Sequence, residues 1–414
     1  MKYAVALSRA AAVALSFAAL AVTLWRGLEQ PQVALAFGVV IAVGEALRVQ
    51  LPGSDHDGGA TTSAPLGAAG ALGYALLGEV GGEDTSHGVL QCVAVVIVAA
   101  LAGVAPRAAR GSSIALDHAV RGVLAVGFAA TCFQPLYTSG ALAHWAGRGP
   151  YYALCLLAVT LLTGVCDAVL SSVFAAGRTG WPVGPLLRGQ LRARLGIVPA
   201  IAATGAVIAL AVAVVGLWAL PVFCVPLLLT QFSFRRYASV RATYRQTIAS
   251  LARATEVAGY TPHGHARRVA ALSCAVGREL GLTEPDLTVL EYAALMHDIG
   301  QLSLVDPVAS GATEQLDPAL QRRIALLGGA VVRQTGVASE VAVVVERQAD
   351  PYREQPLTAR IVRAVNAYED MVAGKPGMES SLDALERLRL GSAHDFEPRV
   401  VEALSRVVQR GPGA

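Results

Sequence analysis

The sequence has little charge and almost no lysine. Charged residues make up 15% of the 414 residues, lysine occurs only at Lys2 and Lys375, and hydrophobic residues make up 54%. An ordinary soluble domain carries more charge and fewer apolar residues than this. The composition therefore argues against a chain that is soluble throughout and indicates a membrane part.

Two further features are missing, and each excludes a class of function. Residues 233–414 hold 21 basic and 21 acidic residues, so they lack the basic excess that nucleic-acid binding requires, and we expect no nucleic-acid partner. None of the six cysteines belongs to a CxxC pair, which indicates small buried residues and not a disulfide or zinc framework.

Apolar runs are concentrated in residues 1–233, which we predict to be a transmembrane region of about eight helices. A hydrocarbon core about 30 Å thick needs roughly 20 apolar residues of helix. The candidate spans are 4–25, 31–49, 65–79, 88–105, 113–133, 152–175, 196–217 and 218–233. The third and the last are short, so six or seven spans are also compatible with the sequence.

The arginines of the short loops predict the orientation of this region. Positively charged loops stay on the cytoplasmic side. With eight spans, this rule places the arginine-rich segments 106–110 and 178–194 inside, together with both termini. We therefore expect a multi-pass protein of the inner (plasma) membrane whose C-terminal part is cytoplasmic.

Two charges lie deep within the predicted spans. Arg121 and Asp167 are each about eight residues from the inner surface, or roughly 12 Å at 1.5 Å per residue. Charges at this depth are costly unless they are paired, so we expect an ion pair between neighbouring antiparallel helices. The alternative is a ligand or proton sensor that also includes Asp117 and His118.

Residues 234–258 contain a helical pattern with no proline or glycine. Apolar residues at spacings of three and four, namely Tyr237, Val240, Tyr244, Ile248 and Leu251, form one stripe. This connector helix either packs its stripe against the soluble domain or forms a homodimer through it.

The remaining residues, 259–414, contain the pattern that indicates chemistry. His265 begins one apolar-periodic segment, and the adjacent His297 and Asp298 end the next, 32 residues later. Two antiparallel helices would bring these side chains to one point. Imidazole and carboxylate ligands suit divalent ions such as manganese or iron, which activate water and polarise phosphoryl oxygens.

The stretch TYRQTIASLARATEVAGYTPHGHARRVA (residues 243–270), followed by MHDIG, closely resembles the HD-GYP branch of the HD phosphohydrolases. That family consists of helical metalloenzymes that cleave cyclic dinucleotides. The resemblance continues through LTARIVRAVNAYEDMVAGKP (residues 357–376). It implies an all-α, HD-type domain, so the sequence predicts an all-α protein in both halves.

Carried over residue by residue, the resemblance is incomplete. His265 matches the first histidine ligand, His297 and Asp298 match the HD pair, and Asn366 stands at the last metal aspartate. The positions that depart from the family are Gln301 for a lysine, and Leu327, Val344 and Val345 for histidines; Glu346 remains, and the GYP loop is deleted. The resemblance therefore implies one ion at most, weakly bound by His265, His297, Asp298 and Asn366. Glu369 and Asp370, three and four residues after Asn366, are further candidates for the missing carboxylate.

Three functions are compatible with these residues. The first is a single-metal phosphohydrolase acting on a nucleotide-like phosphoester, with His297 and Asp298 as catalytic residues and Asp298 orienting the attacking water. The second is a catalytically silent HD module that binds a nucleotide or a protein. In the third, a membrane receptor or transporter carries an HD regulatory domain.

The orientation of the membrane region is directly testable. A periplasm-dependent phosphatase fused after the last residue should be inactive, because the arginine-rich loops hold the C-terminus inside. A fluorescent protein at the same site should be bright and serves as the expression control. An active phosphatase fusion would contradict the predicted topology.

Overall fold

The computed structural model describes residues 2–51, 61–104, 113–146, 149–179, 183–194, 198–305, 313, 316–373 and 378–410. Within these residues the chain is helical apart from turns and two small antiparallel hairpins. The predicted all-α class is confirmed. The chain forms two compact units, of which the first ends at Ser239 and the second begins at Val240.

The first unit contains nine complete helices among the described residues and the start of a tenth. The helices are α1 (Lys2–Arg26), α2 (Pro31–Ala46), α3 (Pro65–Ala75), α4 (Val89–Val104), α5 (Ser113–Thr138), α6 (Ala141–Ala146), α7 (Pro150–Thr179), α8 (Val183–Arg194), α9 (Val198–Val215) and α10 (Ala219–Val257). A 3₁₀ turn, Gly216–Trp218, joins α9 to α10. The hairpins pair β1 (Val49–Leu51) with β2 (Thr61–Ser63) and β3 (Glu79–Val80) with β4 (Glu83–Asp84).

Four helical stretches are long and apolar enough to cross a membrane, judged by length and composition. They are Tyr3–Arg26, Leu116–Thr138, Pro150–Arg178 and Pro199–Val257, and the last contains most of the seventh candidate span and all of the eighth. α2 and α4 are apolar but shorter. α3 has 11 residues, or about 16 Å, which is less than a hydrocarbon core of about 30 Å. The number of spans therefore stays a prediction, as does the orientation, because residues 106–110 and 180–182 lie outside the described residues.

The expected pair between Arg121 and Asp167 is confirmed. Nε of Arg121 donates to Oδ1 of Asp167 at 2.9 Å, and its second terminal nitrogen donates to Oδ2 at 2.7 Å. Both side chains are largely buried, at 17% and 25% exposure. A two-pronged contact of this kind satisfies both charges without water.

The other two residues of the alternative sensor set have partners of their own. Asp117 accepts a hydrogen bond from Arg9 at 2.7 Å. His118 lies 3.4 Å from Glu45, whose carboxylate is mostly buried in the bundle. The four residues of that set are thus divided among separate polar contacts that link α1, α2, α5 and α7.

The second unit is a set of helices around one apolar core. After the end of α10 it contains α11 (His265–Glu279), α12 (Glu284–Met296), a 3₁₀ turn (Ile299–Ser303), α13 (Pro318–Gln334), α14 (Ser339–Arg347), α15 (Leu357–Val372), α16 (Met378–Leu390) and α17 (Pro398–Arg410). Leu290, Val365 and Leu404 are completely buried at the centre of this core. Cys274, the one cysteine of this unit, is a free buried thiol, as expected.

The predicted connector helix belongs to α10, and its apolar stripe is divided. Ile248 is buried in the core of the second unit, and Leu251 packs against that core. Tyr237, Val240 and Tyr244 are about half exposed. Packing against the soluble domain therefore accounts for the later half of the stripe, and dimerisation through the earlier half stays a prediction.

The Arg121–Asp167 contact predicts strong coupling between the two positions. Arg121→Ala and Asp167→Ala should each lower the melting temperature of the detergent-solubilised protein, because each leaves a charge unpaired. The exchanged double variant, Arg121→Asp with Asp167→Arg, should recover most of the loss, with a coupling energy of about 1–3 kcal/mol. An exchanged variant no more stable than the single variants would show that the pair contributes nothing.

Candidate metal site

His265 is positioned by a tight turn at the start of α11. Gly264 precedes it with φ +74°, a left-handed conformation that residues with a Cβ rarely adopt. The backbone then enters the helix at His265, whose side chain is completely buried. The histidine is therefore held in the first turn of α11, pointing into the interior of the second unit.

His297 and Asp298 are positioned by the end of α12. Thr283 and Asp286 form a capping box that fixes where this helix begins, and the helix ends at Met296. The chain then turns sharply at Gly300, where an added Cβ would lie 2.0 Å from the carbonyl oxygen of Ile324 in α13. Only glycine allows this close approach, which directs the HD pair inward.

Asn366 comes from the middle of α15 and completes the group. Its Nδ2 donates to the hydroxyl of Thr313 at 3.1 Å, which turns Oδ1 toward the two histidines. Gln348 supports the opposite side of the site, since its Nε2 donates to the carbonyl oxygen of His297 at 2.8 Å. No sequence pattern predicted the contact of Thr313 with Asn366.

Four ligand atoms converge at this point. Nε2 of His265 and Nε2 of His297 each lie 3.0 Å from Oδ1 of Asn366. Oδ2 of Asp298 lies 3.1 Å from Nε2 of His297 and 3.6 Å from Nε2 of His265. All four residues are at least 94% buried. Among the described residues, His265, His297 and Asp298 are the one group of three metal-ligating side chains whose atoms lie within 4.8 Å of one another.

The hydrogen bond on the far side of the His297 ring indicates what this arrangement can hold. Nδ1 of His297 donates to the carbonyl oxygen of Ala294 at 2.8 Å. In the neutral ring, Nε2 then carries a lone pair that faces the oxygens of Asn366 and Asp298. Oδ2 of Asp298 is buried and has no hydrogen-bond donor. Such a concentration of lone pairs is stable only around a cation, and this donor set fits a divalent ion.

In the metal-free site a proton takes the place of that cation. Burial disfavours the charged form of His297, but the adjacent Asp298 carboxylate outweighs burial and raises the pKa of His297 to about 9. Burial and the charge of His297 lower the pKa of His265 to about 4. Burial acts to raise the pKa of Asp298, yet the positive charge of His297 holds it below its usual range.

The two acids that follow Asn366 have different surroundings. Glu369 accepts a hydrogen bond from Arg268 at 2.9 Å, a contact on the partly exposed side of α15. Asp370 is nearly buried, and its Oδ1 lies 3.9 Å from Nε2 of His265. Asp370 therefore adds negative charge beside the site, whereas Glu369 is directed away from it.

Apart from Asn366, the positions that depart from the resembled family, and the retained Glu346, add no metal-ligating side chain to this group. Val344 and Val345 are buried in the core, and Leu327 is half-buried on α13. Glu346 forms an ion pair with Arg333. Gln301 is completely buried in the turn after Asp298. Side chains suitable for a second ion are therefore absent at these described positions.

Comparison with known proteins agrees with this geometry. The sequence profile of the family described as "HD domain" matches residues 263–371, which include all four converging side chains. The chain carries an HD domain. The expected HD-type resemblance, with apolar helices preceding the domain, is confirmed. No solved structure matches the chain significantly.

Two curated proteins are similar to the HD-domain half. The cyclic di-GMP phosphodiesterase response regulator RpfG of Xanthomonas campestris is 30% identical over 179 residues, which are 39% of this chain and 47% of the relative. A cyclic di-GMP phosphodiesterase of Thermotoga maritima is 24% identical over 165 residues, which are 35% of this chain and 44% of the relative. The chain thus spans about half the length of the curated relatives it matches.

Proton competition predicts the pH dependence of ion binding. His297 is protonated below a pKa of about 9, so a divalent ion must displace that proton. Manganese affinity of the full chain in detergent should therefore fall about tenfold for each pH unit below about 9. Calorimetry in two buffers of different ionisation heat should detect about one released proton per ion near pH 8.

The exposed His394 provides the control, because His394→Gln should leave both the affinity and the proton release unchanged. If manganese affinity does not vary with pH between about 7 and 9, the ion does not displace a proton from His297.

Proposed function

We propose that this chain is a membrane-anchored, single-metal phosphohydrolase that acts on a nucleotide-like phosphoester. The observation that carries the proposal is the convergence of two histidine nitrogens and two side-chain oxygens at one buried point. His265, His297, Asp298 and Asn366 would hold one divalent ion such as manganese or iron. The ion would supply Lewis-acid activation of water and of a phosphoryl oxygen.

The residues of the chain have separable tasks in this reaction. The carbonyl oxygen of Ala294 fixes the His297 tautomer that presents Nε2 inward. Thr313 holds the Asn366 amide with its oxygen toward the site. Oδ2 of Asp298, buried and without a donor, is the group that can accept a hydrogen bond from the attacking water and orient it.

The relatives support the choice of substrate class. Both are named as cyclic di-GMP phosphodiesterases, so a phosphodiester of a nucleotide is the class to test first. Leu327, Val344 and Val345 provide no imidazole for a second ion. A two-ion clamp on the attacking and leaving oxygens is therefore not part of the proposal, and we expect turnover of cyclic dinucleotides to be weak.

The membrane part of the proposal depends on the surface of the first unit. Large apolar side chains face outward on its helices, among them Phe17 at 76%, Trp218 at 80% and Phe232 at 65% exposure. Apolar area of this extent is stable in a lipid bilayer and not in water. Together with the arginine-rich loops, it supports an inner-membrane location with the HD domain in the cytoplasm.

A silent binding module is the second candidate. Asn366 contributes an amide oxygen without the negative charge of an aspartate, which weakens the hold on a hard cation. The receptor or transporter hypothesis has less support, because the charged residues of α5 and α7 are already paired within the bundle.

Changing the ligands distinguishes the enzyme from the silent module. Asn366→Asp should raise manganese affinity about tenfold or more, because it adds a charged oxygen at the same reach. His297→Ala should abolish binding and the hydrolysis of bis(p-nitrophenyl) phosphate. Calorimetry and a colorimetric assay on the full chain in detergent measure both effects.

Thr358→Asp is the matched control, since it adds the same charge two turns earlier on α15, and it should change neither quantity. Metal-free melting temperatures establish that the variants are folded. Failure of wild type to bind manganese or iron, with no gain in Asn366→Asp, would refute the enzyme and leave the silent module.

A further inference from the structure

A small cavity adjoins the ion site and contains a cation that the reaction described above does not use. Its volume is about 40 Å³, which by this measure is room for about three water molecules. His297, Asp298 and Asn366 line one side, and Thr313, Gln348 and Arg363 are also in the lining. The cavity therefore joins the converging ligand atoms to a guanidinium group.

Arg363 is held in this lining from three directions. It precedes Asn366 by one turn on α15, so both side chains lie on the same face of the helix. One terminal nitrogen donates to the carbonyl oxygen of Asp350 at 2.8 Å, and the guanidinium carbon lies 5.9 Å from the centre of the Phe396 ring. These contacts fix the position of the group and occupy only part of its five N–H donors.

The remaining donors include one that is buried and has no acceptor. Nε of Arg363 is inaccessible to solvent and makes no hydrogen bond. A buried donor without a partner costs free energy, the more so when it is part of a charged group. The guanidinium group of Arg363 also lies in the lining of the cavity, and its planar fork of N–H donors suits the oxygens of a phosphate.

The charge balance also favours an anion. With a divalent ion in place, the ion and Arg363 together carry three positive charges. Asp298 and the nearby Asp370 carry two negative charges, and Asn366 carries none. In a buried site with a low effective dielectric constant, one remaining positive charge attracts an anion strongly.

We propose that Arg363 is a phosphoryl-binding residue, which together with the ion site binds the oxyanion of the substrate or product. The inference depends on the proposed function and narrows it. A volume of about 40 Å³ suits a phosphoryl group, and the rest of a phosphoester would extend from it.

Thermodynamic coupling between manganese and inorganic phosphate tests this role without an activity assay. Saturating phosphate should tighten manganese binding to the full chain in detergent about tenfold, because each ligand stabilises the other. Arg363→Gln should abolish the effect of phosphate while retaining manganese binding in its absence. Arg363→Lys, which keeps the charge but loses the planar fork, should retain part of the coupling.

Arg353→Gln removes the same charge from an exposed position of the same unit and should leave the coupling intact. Melting temperatures of the metal-free variants identify any general loss of structure, and Arg363→Lys keeps the test decisive if Arg363→Gln does not fold. If phosphate does not change manganese binding, or if Arg363→Gln retains the coupling, the role of Arg363 is wrong and the proposed function is unaffected. Absence of manganese binding in wild type would refute the proposed function as well.

Discussion

Electrostatic repulsion between buried lone pairs is the constraint on which the HD domain depends. Two imidazole nitrogens, an amide oxygen and a carboxylate oxygen converge at a buried point, where each imidazole nitrogen lies 3.0 to 3.6 Å from both oxygens. A neutral, empty version of this arrangement would be strongly unfavourable, so a cation must be present, either a proton or a metal ion. In the metal-free site the cation is a proton, as the raised pKa of His297 indicates. In the proposed enzyme the cation is the metal ion.

The same constraint explains why the site persists although much of the resembled pattern is replaced. Val344 and Val345 contribute to the apolar core, and the carboxylate of Glu346 is paired with Arg333. At these positions the chain has packing and surface contacts and no imidazole. The four converging side chains come from α11, the end of α12 and the middle of α15, so their contacts also link three helices.

In the first unit, charged side chains are paired with one another. Its buried charges are neutralised within the bundle, by the contact of Arg121 with Asp167 and that of Arg9 with Asp117. Each pair joins two helices of the bundle. In the HD domain, electron-rich nitrogen and oxygen atoms instead converge at one point, and a cation is needed to offset their repulsion.

The sequence by itself determined the helical class, the separation of apolar and charged halves, and the identity of the four converging residues. Helical periodicity is a local property that does not depend on the details of packing. The spacing of His265, His297 and Asp298 along two predicted helices identified three of the four residues, and the family resemblance identified Asn366. Tertiary structure alone decided three other features: the contact of Thr313 with Asn366, the approach of Asp370 and not Glu369 to His265, and the presence of Arg363 in the cavity. Consecutive residues of a helix, such as Glu369 and Asp370, differ by a rotation of about 100°, and only the packing of α15 against α11 and α12 selects which of them turns inward.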